Sequence, residues 1–549
     1  MSFPDKNEKV GAYVIKNLYR DSIQLMKISE ELKKVPGVID AIVAMGTDLN
    51  KELAKRLGFH TAEIEMASPN DLFIAIRADS EESLAEALAK GRVLISQPLA
   101  KLELEEFDNI DNALAALPDA NLAVISVPGK YVKDIAFKFL ERGIHVHIFS
   151  DNVPREHETE LKRYAYKRGL LVLGPGAGTS IIRGKGICFA NAIRKGSIGV
   201  VAAAGTGLQE VSVLLHEMGL GISYGLGVGG GDVKNHVGGL MTKLSLLYLE
   251  RDAETSIIAF ISKPPERETF ESILGFIAER VSKPVVMSIM GRVNTGVPQA
   301  LSRRIHLSKT LHSAALKIMR LADPKIYEKA KDKYTLDVNE LEAVLKPHYE
   351  QLKGCQKYVR CLYTGGTLAS EALVILDALG IEAYTNIPFD GHAILVDPYK
   401  SVGNTVIDLG EEEFTRGRAH PMMDPTVRKL RLIEEARDPE TAVILMDFVL
   451  GYGSHPDPVG AHIDSIRKAK KVAKENGRHV IFVSHVLGVR EDPQDLDKQV
   501  ETLKAEGVIV MPTNAMAVFA SIYAANRGKL TSSIIDTFYA DLLEHPSTR

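Results

Sequence analysis

Apolar positions along the chain follow two alternating rhythms. Runs such as "GSIGVVAAAG" (196–205), "TSIIAFISK" (255–263), "KPVVMSIMG" (283–291), "TAVILMDFVLG" (441–451), "HVIFVSHVLG" (479–488) and "GVIVMPTN" (507–514) are mostly apolar. Unbroken apolar strands of this length mark a parallel sheet covered on both faces. Between them lie stretches with helical spacing, for example "TGLQEVSVLLHEMG" (206–219), which stops at Gly219, a residue suited to a helix C-terminus. The first hundred residues differ. "AYVIKNLY", "VIDAIVAMGT" and "DLFIAIRAD" read as strands, and "SIQLMKISEELKKV" puts Ile23, Met26, Ile28 and Leu32 on one side of a helix. Residues 10–100 therefore run βαβ, then βα plus a closing strand, a small ferredoxin-like α+β order.

The same reading predicts an α/β protein in several parts. Residues 1–105 form the ferredoxin-like domain. Residues 115–195 form a Rossmann-like unit, with strand, turn, helix and strand in "NLAVISVPGKYVKDIAFKFLERGIHVHIFSD". Its Ser126–Gly129 turn is not G-x-G-x-x-G, so no dinucleotide is indicated. Residues 196–320 and 357–525 form two flavodoxin-like units. A charged helical linker (321–356) joins them, and 526–549 form a C-terminal helix or tail.

The two larger units repeat. "AAAGTGLQEVSVLLHEMGLGISY" matches "LYTGGTLASEALVILDALGIEAY": a strand, a Gly/Thr turn, Leu, then Glu210 or Glu371, with Gly219 or Gly380 nine residues later. Further on, the pentapeptides at 251–255 and 437–441 differ at one position. Each copy should aim a helix N-terminus, at 205–210 and 365–371, past the carboxyl end of its sheet, where open α/β sheets bind ligands. Helix N-termini carry partial positive charge and unpaired N–H donors. Two such starts facing each other across a pseudo-twofold axis predict one phosphate site built from Gly205, Thr206, Gly207, Gly365, Gly366 and Thr367. Helix capping is the plainer reading of both threonines. "GVGGGDVKN" (227–235) adds Gly229, Gly230 and Asn235, since successive glycines imply a close backbone approach to something.

Composition narrows the function classes. The formal net charge is −4 with 45 % hydrophobic residues, and no basic cluster indicates nucleic acid. Neither a membrane-spanning run nor a secretory leader is read from the sequence. Cys188, Cys355 and Cys361 make no metal spacing or disulfide framework. The expected setting is cytoplasmic, with buried reduced thiols.

The first copy, from "GPGAGTSII" through "GSIGVVAAAGTGLQEVSVLLHEMGLGISYGLGVGGGD" to "RDAETSIIAFI", resembles the α subunit of succinyl-CoA synthetase. The second copy resembles the carboxyl-terminal domain of its β subunit. With "NLYRDSIQLMKISEELKKVPGVIDAIVAMGTDLNKEL" at the start, the chain looks like a member of the FdrA family, single chains that join the two synthetase-like parts. The resemblance implies a CoA-binding-type Rossmann-like domain followed by two succinyl-CoA-synthetase-type domains in pseudo-twofold repeat. It also implies a homo-oligomer, with possible partner subunits encoded nearby. Some family members are similar to a subunit of oxamate carbamoyltransferase, which exchanges carbamoyl between phosphate and oxamate in anaerobic allantoin or purine nitrogen use.

Departures from the synthetase pattern weigh between these activities. The phosphorylated histidine of the synthetase sits in a Gly-His-Ala-Gly loop. Here the region after "KPVV" has His306 and His312 but no such loop, and no ATP-grasp domain is read. The expectation is therefore a transferase subunit acting on carbamoyl phosphate or another acyl phosphate and a carboxylate or amide substrate. It needs no cofactor and no metal, only the phosphate as ligand. The alternative is a component of an NDP-forming acyl-CoA synthetase, which would bind CoA and nucleotide. A third reading is a non-catalytic scaffold or regulatory subunit. Carbamoyl transfer requires leaving-phosphate stabilisation and carbonyl polarisation. Arg418 suits a carboxylate because guanidinium pairs bidentately, and His420, His455 or His485 can polarise a carbonyl or move a proton. Asn235 completes the candidate catalytic set of His420, His455 and Arg418. Each histidine also has a structural reading.

Overall fold

The structure, a computed structural model, describes residues 8–96, 106–292, 297–529, 532–534 and 536–538. Two units emerge: residues 1–118 together with 409–430, and residues 119–408 together with 431–549.

The first unit contains β1 (Lys9–Ile15), α1 (Ser22–Lys33), β2 (Val38–Met45), α2 (Asp48–Arg56), β3 (Leu72–Ala78) and α3 (Glu81–Ser96). The strands make an antiparallel sheet in the order β1-β3-β2. One face is sealed by Leu25, Leu32, Val43, Ile74, Ile76 and Ala87, the other by Leu53, Phe59, Ile64 and Phe73. The strand expected after α3 falls at 97–105, outside the described residues. Residues 409–430 belong to this unit, which corrects the reading of 357–525 as one continuous domain. Polar residues crowd that stretch, so no periodicity in the sequence assigns it to either unit.

The second unit begins with β4 (Leu122–Ile125), α4 (Gly129–Leu140), β5 (His145–Ile148), α5 (Arg155–Arg168) and β6 (Val172–Leu173), a parallel Rossmann-like sheet. The first larger repeat follows. It contains β7 (Thr179–Ile182), β8 (Lys185–Cys188), β9 (Lys195–Ala203), α6 (Gly205–Glu217), β10 (Ile222–Gly227), α7 (Leu240–Arg251), β11 (Ile257–Ser262), α8 (Arg267–Arg280), β12 (Val285–Ile289), β13 (Ile305–Ser308) and α9 (Leu311–Ala322). Helices α10 (Pro324–Lys333) and α11 (Val338–Tyr349) lead to the second repeat. That repeat contains β14 (Tyr358–Tyr363), α12 (Gly366–Ala378), β15 (Tyr384–Thr385), β16 (Ala393–Ile394), β17 (Thr405–Asp408), α13 (Thr426–Arg437), β18 (Thr441–Val449), α14 (Gly460–Glu475), β19 (Ile481–Leu487), α15 (Leu496–Ala505), β20 (Ile509–Met511) and α16 (Asn514–Ala525).

The two seven-stranded sheets share a parallel core order. One runs β13-β12-β11-β9-β10, with the β7-β8 hairpin beyond; the other runs β20-β19-β18-β14-β17, with β15 and β16 beyond. Central strands are apolar on both faces because helices cover both sides: all residues of β11, β12, β18 and β19 are buried. This is the flavodoxin-like repeat. Each copy's first helix leaves the carboxyl end of its central strand, β9 or β14.

Candidate site where the two repeats meet

The starts of α6 and α12 are in direct contact. The Thr367 N–H donates to Thr206 Oγ1 at 3.1 Å. A Cβ on Gly207 would lie 2.8 Å from Thr367 Cγ2, and one on Gly365 would lie 3.0 Å from Thr206 Cγ2. Glycine at both positions lets the helix starts touch. Thr206 and Thr367 are both buried. The predicted glycines and threonines of the two turns are thus neighbours, with no room left between the two threonines.

One turn deeper, the two glutamates that mark the repeat cross over. Glu371 of α12 accepts from the Leu311 N–H at 2.6 Å, the first amide of α9. Its other oxygen takes the Asn514 side-chain amide at 2.7 Å. Glu210 of α6 accepts from the Asn514 backbone N–H at 3.4 Å, the first amide of α16, and pairs with His485 Nε2 at 2.9 Å. Each copy's glutamate therefore sits at the amino end of the other copy's last helix, where a carboxylate complements the helix dipole. His312 Nδ1 meets Thr513 Oγ1 at 3.1 Å, linking the same two helix starts.

These groups are fully buried, which governs their titration. Burial, helped by the nearby Glu210 charge, raises the Glu371 carboxyl to about 7 against the donors that hold it. For His485, burial pushes the pKa down, but the Glu210 charge and hydrogen bond outweigh it and the net shift is upward.

The two helix starts differ in what they already hold. Strand register makes Asp447 of β18 the counterpart of Ile261 in β11, because Leu362 pairs with Met446 where Val201 pairs with Phe260. It likewise makes Asp408 of β17 the counterpart of Gly227, since Tyr363 pairs with Asp408 where Ala202 pairs with Gly227. Asp447 accepts from the Thr364 and Gly365 N–H groups, each at 2.8 Å. A Cβ on Gly366 would lie 2.3 Å from Asp408 Oδ2. The second copy thus supplies its own anions to its helix start. The first copy has an isoleucine and a glycine there. The amides of Gly205, Thr206 and Gly207 have no protein acceptor among the described residues, and Gly205 is half-exposed.

The remaining predicted residues lie elsewhere. Asn235 accepts from Thr269 N–H and Oγ1 and donates its own N–H to Glu266 Oε2, which ties its loop to α8. Gly229, at φ +79°, passes within 2.5 Å (measured from its virtual Cβ) of the Pro175 carbonyl, so the close approach in this loop is to backbone. Gly230 is exposed, with open space around it. The same loop ends in Asp232, which is buried with Lys162 and Glu158. His455 accepts from the Asp457 N–H in the turn before α14. Arg418 and His420 belong to the first unit. Arg418 is ion-paired with Asp424 and donates to Asn50 Oδ1, and burial lowers His420 to about 4. Of the predicted catalytic residues, Arg418 and His420 thus belong to the first unit and His455 and Asn235 to the second. Sequence reasoning used Glu210 and Glu371 only as repeat landmarks and passed over Asp408 and Asp447. Their equal places in matching strands were the signal.

Comparison with known proteins places this architecture. Residues 362–523 match the CoA-ligase family, and residues 9–107 match "AllF, heavy metal-associated domain". The uncharacterized protein YahF of Escherichia coli (strain K12) is 41 % identical over 498 residues, 90 % of this chain and 94 % of that one. The chain belongs to the FdrA family. The FdrA-family chain is also 31 % identical, over 32 % of its length, to succinate–CoA ligase [ADP-forming] subunit alpha of Methanothermobacter thermautotrophicus. Over the same share it is 27 % identical to ADP-forming sulfoacetate-CoA ligase subunit SauD of Bilophila wadsworthia. It spans 58 % and 60 % of those two subunits. Among solved structures, dinucleotide-forming acetyl-coenzyme A synthetase 1 of Ca. Korarchaeum cryptofilum aligns at 16 % identity and TM-score 0.29, covering 76 % of this chain and 85 % of that one.

The chain therefore carries a CoA-ligase type of domain in its second repeat and a heavy-metal-associated type of domain at its start. The residues of that domain do not fit a soft metal. Positions 9–107 contain no cysteine and a single histidine, His60, and their methionines, Met26, Met45 and Met66, are spread through the stretch with no thiolate to anchor a soft metal. Among the described residues no group of three or more His, Cys, Asp or Glu could hold a metal, and no helix is long and apolar enough to cross a membrane.

Proposed function

We propose that this chain moves an acyl group between phosphate and an acceptor, with the phosphate held at the start of α6. The acceptor in the favoured reading is the CoA thiol, as in the acyl-CoA ligases to which the chain is similar. The observation that carries the reading is the asymmetry between the copies. Copy two caps its helix start with Asp447 and lies against Asp408, while copy one presents three unpartnered amides and no acid. A helix N-terminus in this state favours an anion.

In the step, sulfur attacks the acyl carbon and the carbon–oxygen bond to phosphate breaks. The thiol proton leaves with the phosphate or the solvent. The amides of Gly205, Thr206 and Gly207 oppose the charge that grows on the leaving phosphate. Glu210, Glu371 and Asn514 act as positioning residues, fixing α6 against α12. If CoA is the acceptor, the start of α4, which has no side-chain cap, is the candidate seat for its phosphates.

Carbamoyl transfer to oxamate is the second reading. It is favoured by the lack of a Gly-His-Ala-Gly loop and by the fully buried state of His485 and His312, neither of which is exposed for phosphorylation. The test is phosphate release by the purified full chain, with and without neighbouring gene products. Release from succinyl phosphate that requires CoA and yields a thioester supports the first reading. Release from carbamoyl phosphate that requires oxamate supports the second. Release from neither overturns both.

A further inference from the structure

The first unit holds a cavity of about 550 Å³ that no part of the proposed reaction uses. Asn17, Tyr19, Arg20 and Ser22, which follow β1, form one wall. Met45 and Thr47, Pro69 and Asn70, and then Gly417 and Arg418 close the rest. Two cations line it and no acid does. Its volume suits a small molecule.

The two arginines are held in different ways. Arg418 has a side chain 7 % exposed and is fixed by Asp424 and by Asn50, whose amide also reaches the Gly417 carbonyl. Those bonds use two of the five N–H donors of a guanidinium, leaving three. Arg20 spends one donor on the Ile95 carbonyl. Asp71 is taken by Lys16 and by the Asn17 and Ser68 amides. The lining therefore has spare donors on both cations and no carboxylate of its own; Asp424 pairs with Arg418 from behind the lining. Arg418 arrives from residues 409–430, the segment between β17 and α13, so the second repeat's own chain completes this cavity.

We propose that this cavity binds a small anionic metabolite, carrying a carboxylate or phosphate clamped between Arg20 and Arg418. It is an effector site separate from the start of α6. Guanidinium pairs bind carboxylate and phosphate alike, and the experiment distinguishes the two.

The chain contains no tryptophan, and Tyr19 on the cavity rim is 72 % exposed. Tyr19→Trp therefore gives a single reporter at this site. The full-length variant is titrated with succinate and, separately, with inorganic phosphate, at constant ionic strength held with chloride. A saturable change in tryptophan emission with one or both anions is expected, and the anion that produces it names the ligand class. Adding Arg20→Gln should weaken that titration about tenfold to hundredfold, the worth of one charged hydrogen bond. Arg418→Lys, which keeps the charge facing Asp424 but not the fork, should weaken it as well. A flat response to both anions overturns the proposal, as does a change unaltered by both arginine substitutions. Thr206→Val at the repeat interface should leave the titration unchanged, and its loss there would overturn the assignment to this cavity.

Discussion

Glu371→Gln probes the crossed-glutamate interface through pH. Glu371 is 0 % exposed, and its carboxyl is raised to about 7 from an ordinary value of 4.5. An acid with a raised folded-state pKa binds its proton more tightly in the folded chain than in the unfolded one. Its contribution to stability is fully present below the unfolded value and is lost as pH rises through the folded value. Between about pH 5.5 and about pH 8, a shift from 4.5 to about 7 removes about 2 kcal/mol of stability. His485, also shifted upward, acts in the same direction. Glutamine keeps an oxygen for the Leu311 amide, and Asn514 can turn so that its unpartnered Oδ1 faces the new amide. The substitution therefore removes the titration while keeping both contacts of the side chain at 371, at the cost of the Asn514 donation to the Leu368 carbonyl at either pH. Urea unfolding of both proteins at the two pH values is the assay. The wild-type chain should lose about 2 kcal/mol more than Glu371→Gln on going to the higher pH. Equal pH dependence in the two proteins would refute the reasoning.

Thr206→Val leaves the buried Thr367 N–H without its acceptor and should cost about 1–3 kcal/mol in urea unfolding. Gly207→Ala drives a methyl against Thr367 and Ile261 and should cost about 1–3 kcal/mol by overpacking. Gly230→Ala meets nothing within 4 Å and should change stability by less than about 0.5 kcal/mol. Asp232→Asn removes a carboxylate bonded to the Met241 and Thr242 amides and paired with buried Lys162. It should cost about 3 kcal/mol or more by thermal or urea unfolding.

The repeat was legible because parallel strands buried on both faces leave unbroken apolar runs, and because Gly219 and Gly380 stop matching helices. The helix starts at 205 and 366 could be read from the same turns. Their contact could not. It depends on Gly207 and Gly365 having no side chain at one particular place in space, which no local pattern encodes. The crossed bonds from Glu210 to Asn514 and from Glu371 to Leu311 join positions far apart in sequence, so only the packed repeats bring them together. Arg418 and His420 misled because loop residues after a strand can leave the sheet's edge, and 409–430 do so as part of the first unit. The acids that separate the two helix starts, Asp408 and Asp447, sit in otherwise apolar strands and carried no motif.

The central claim is that phosphate belongs to the start of α6 and not between the two threonines. The direct measurement is a crystal structure of the full chain with thiophosphate, located by the anomalous signal of its sulfur. The account predicts a peak within hydrogen-bonding distance of the Gly205, Thr206 and Gly207 amides, with the Thr206–Thr367 contact intact. A peak between Thr206 and Thr367 with that contact broken, or one on the α12 side against Asp447, would contradict it.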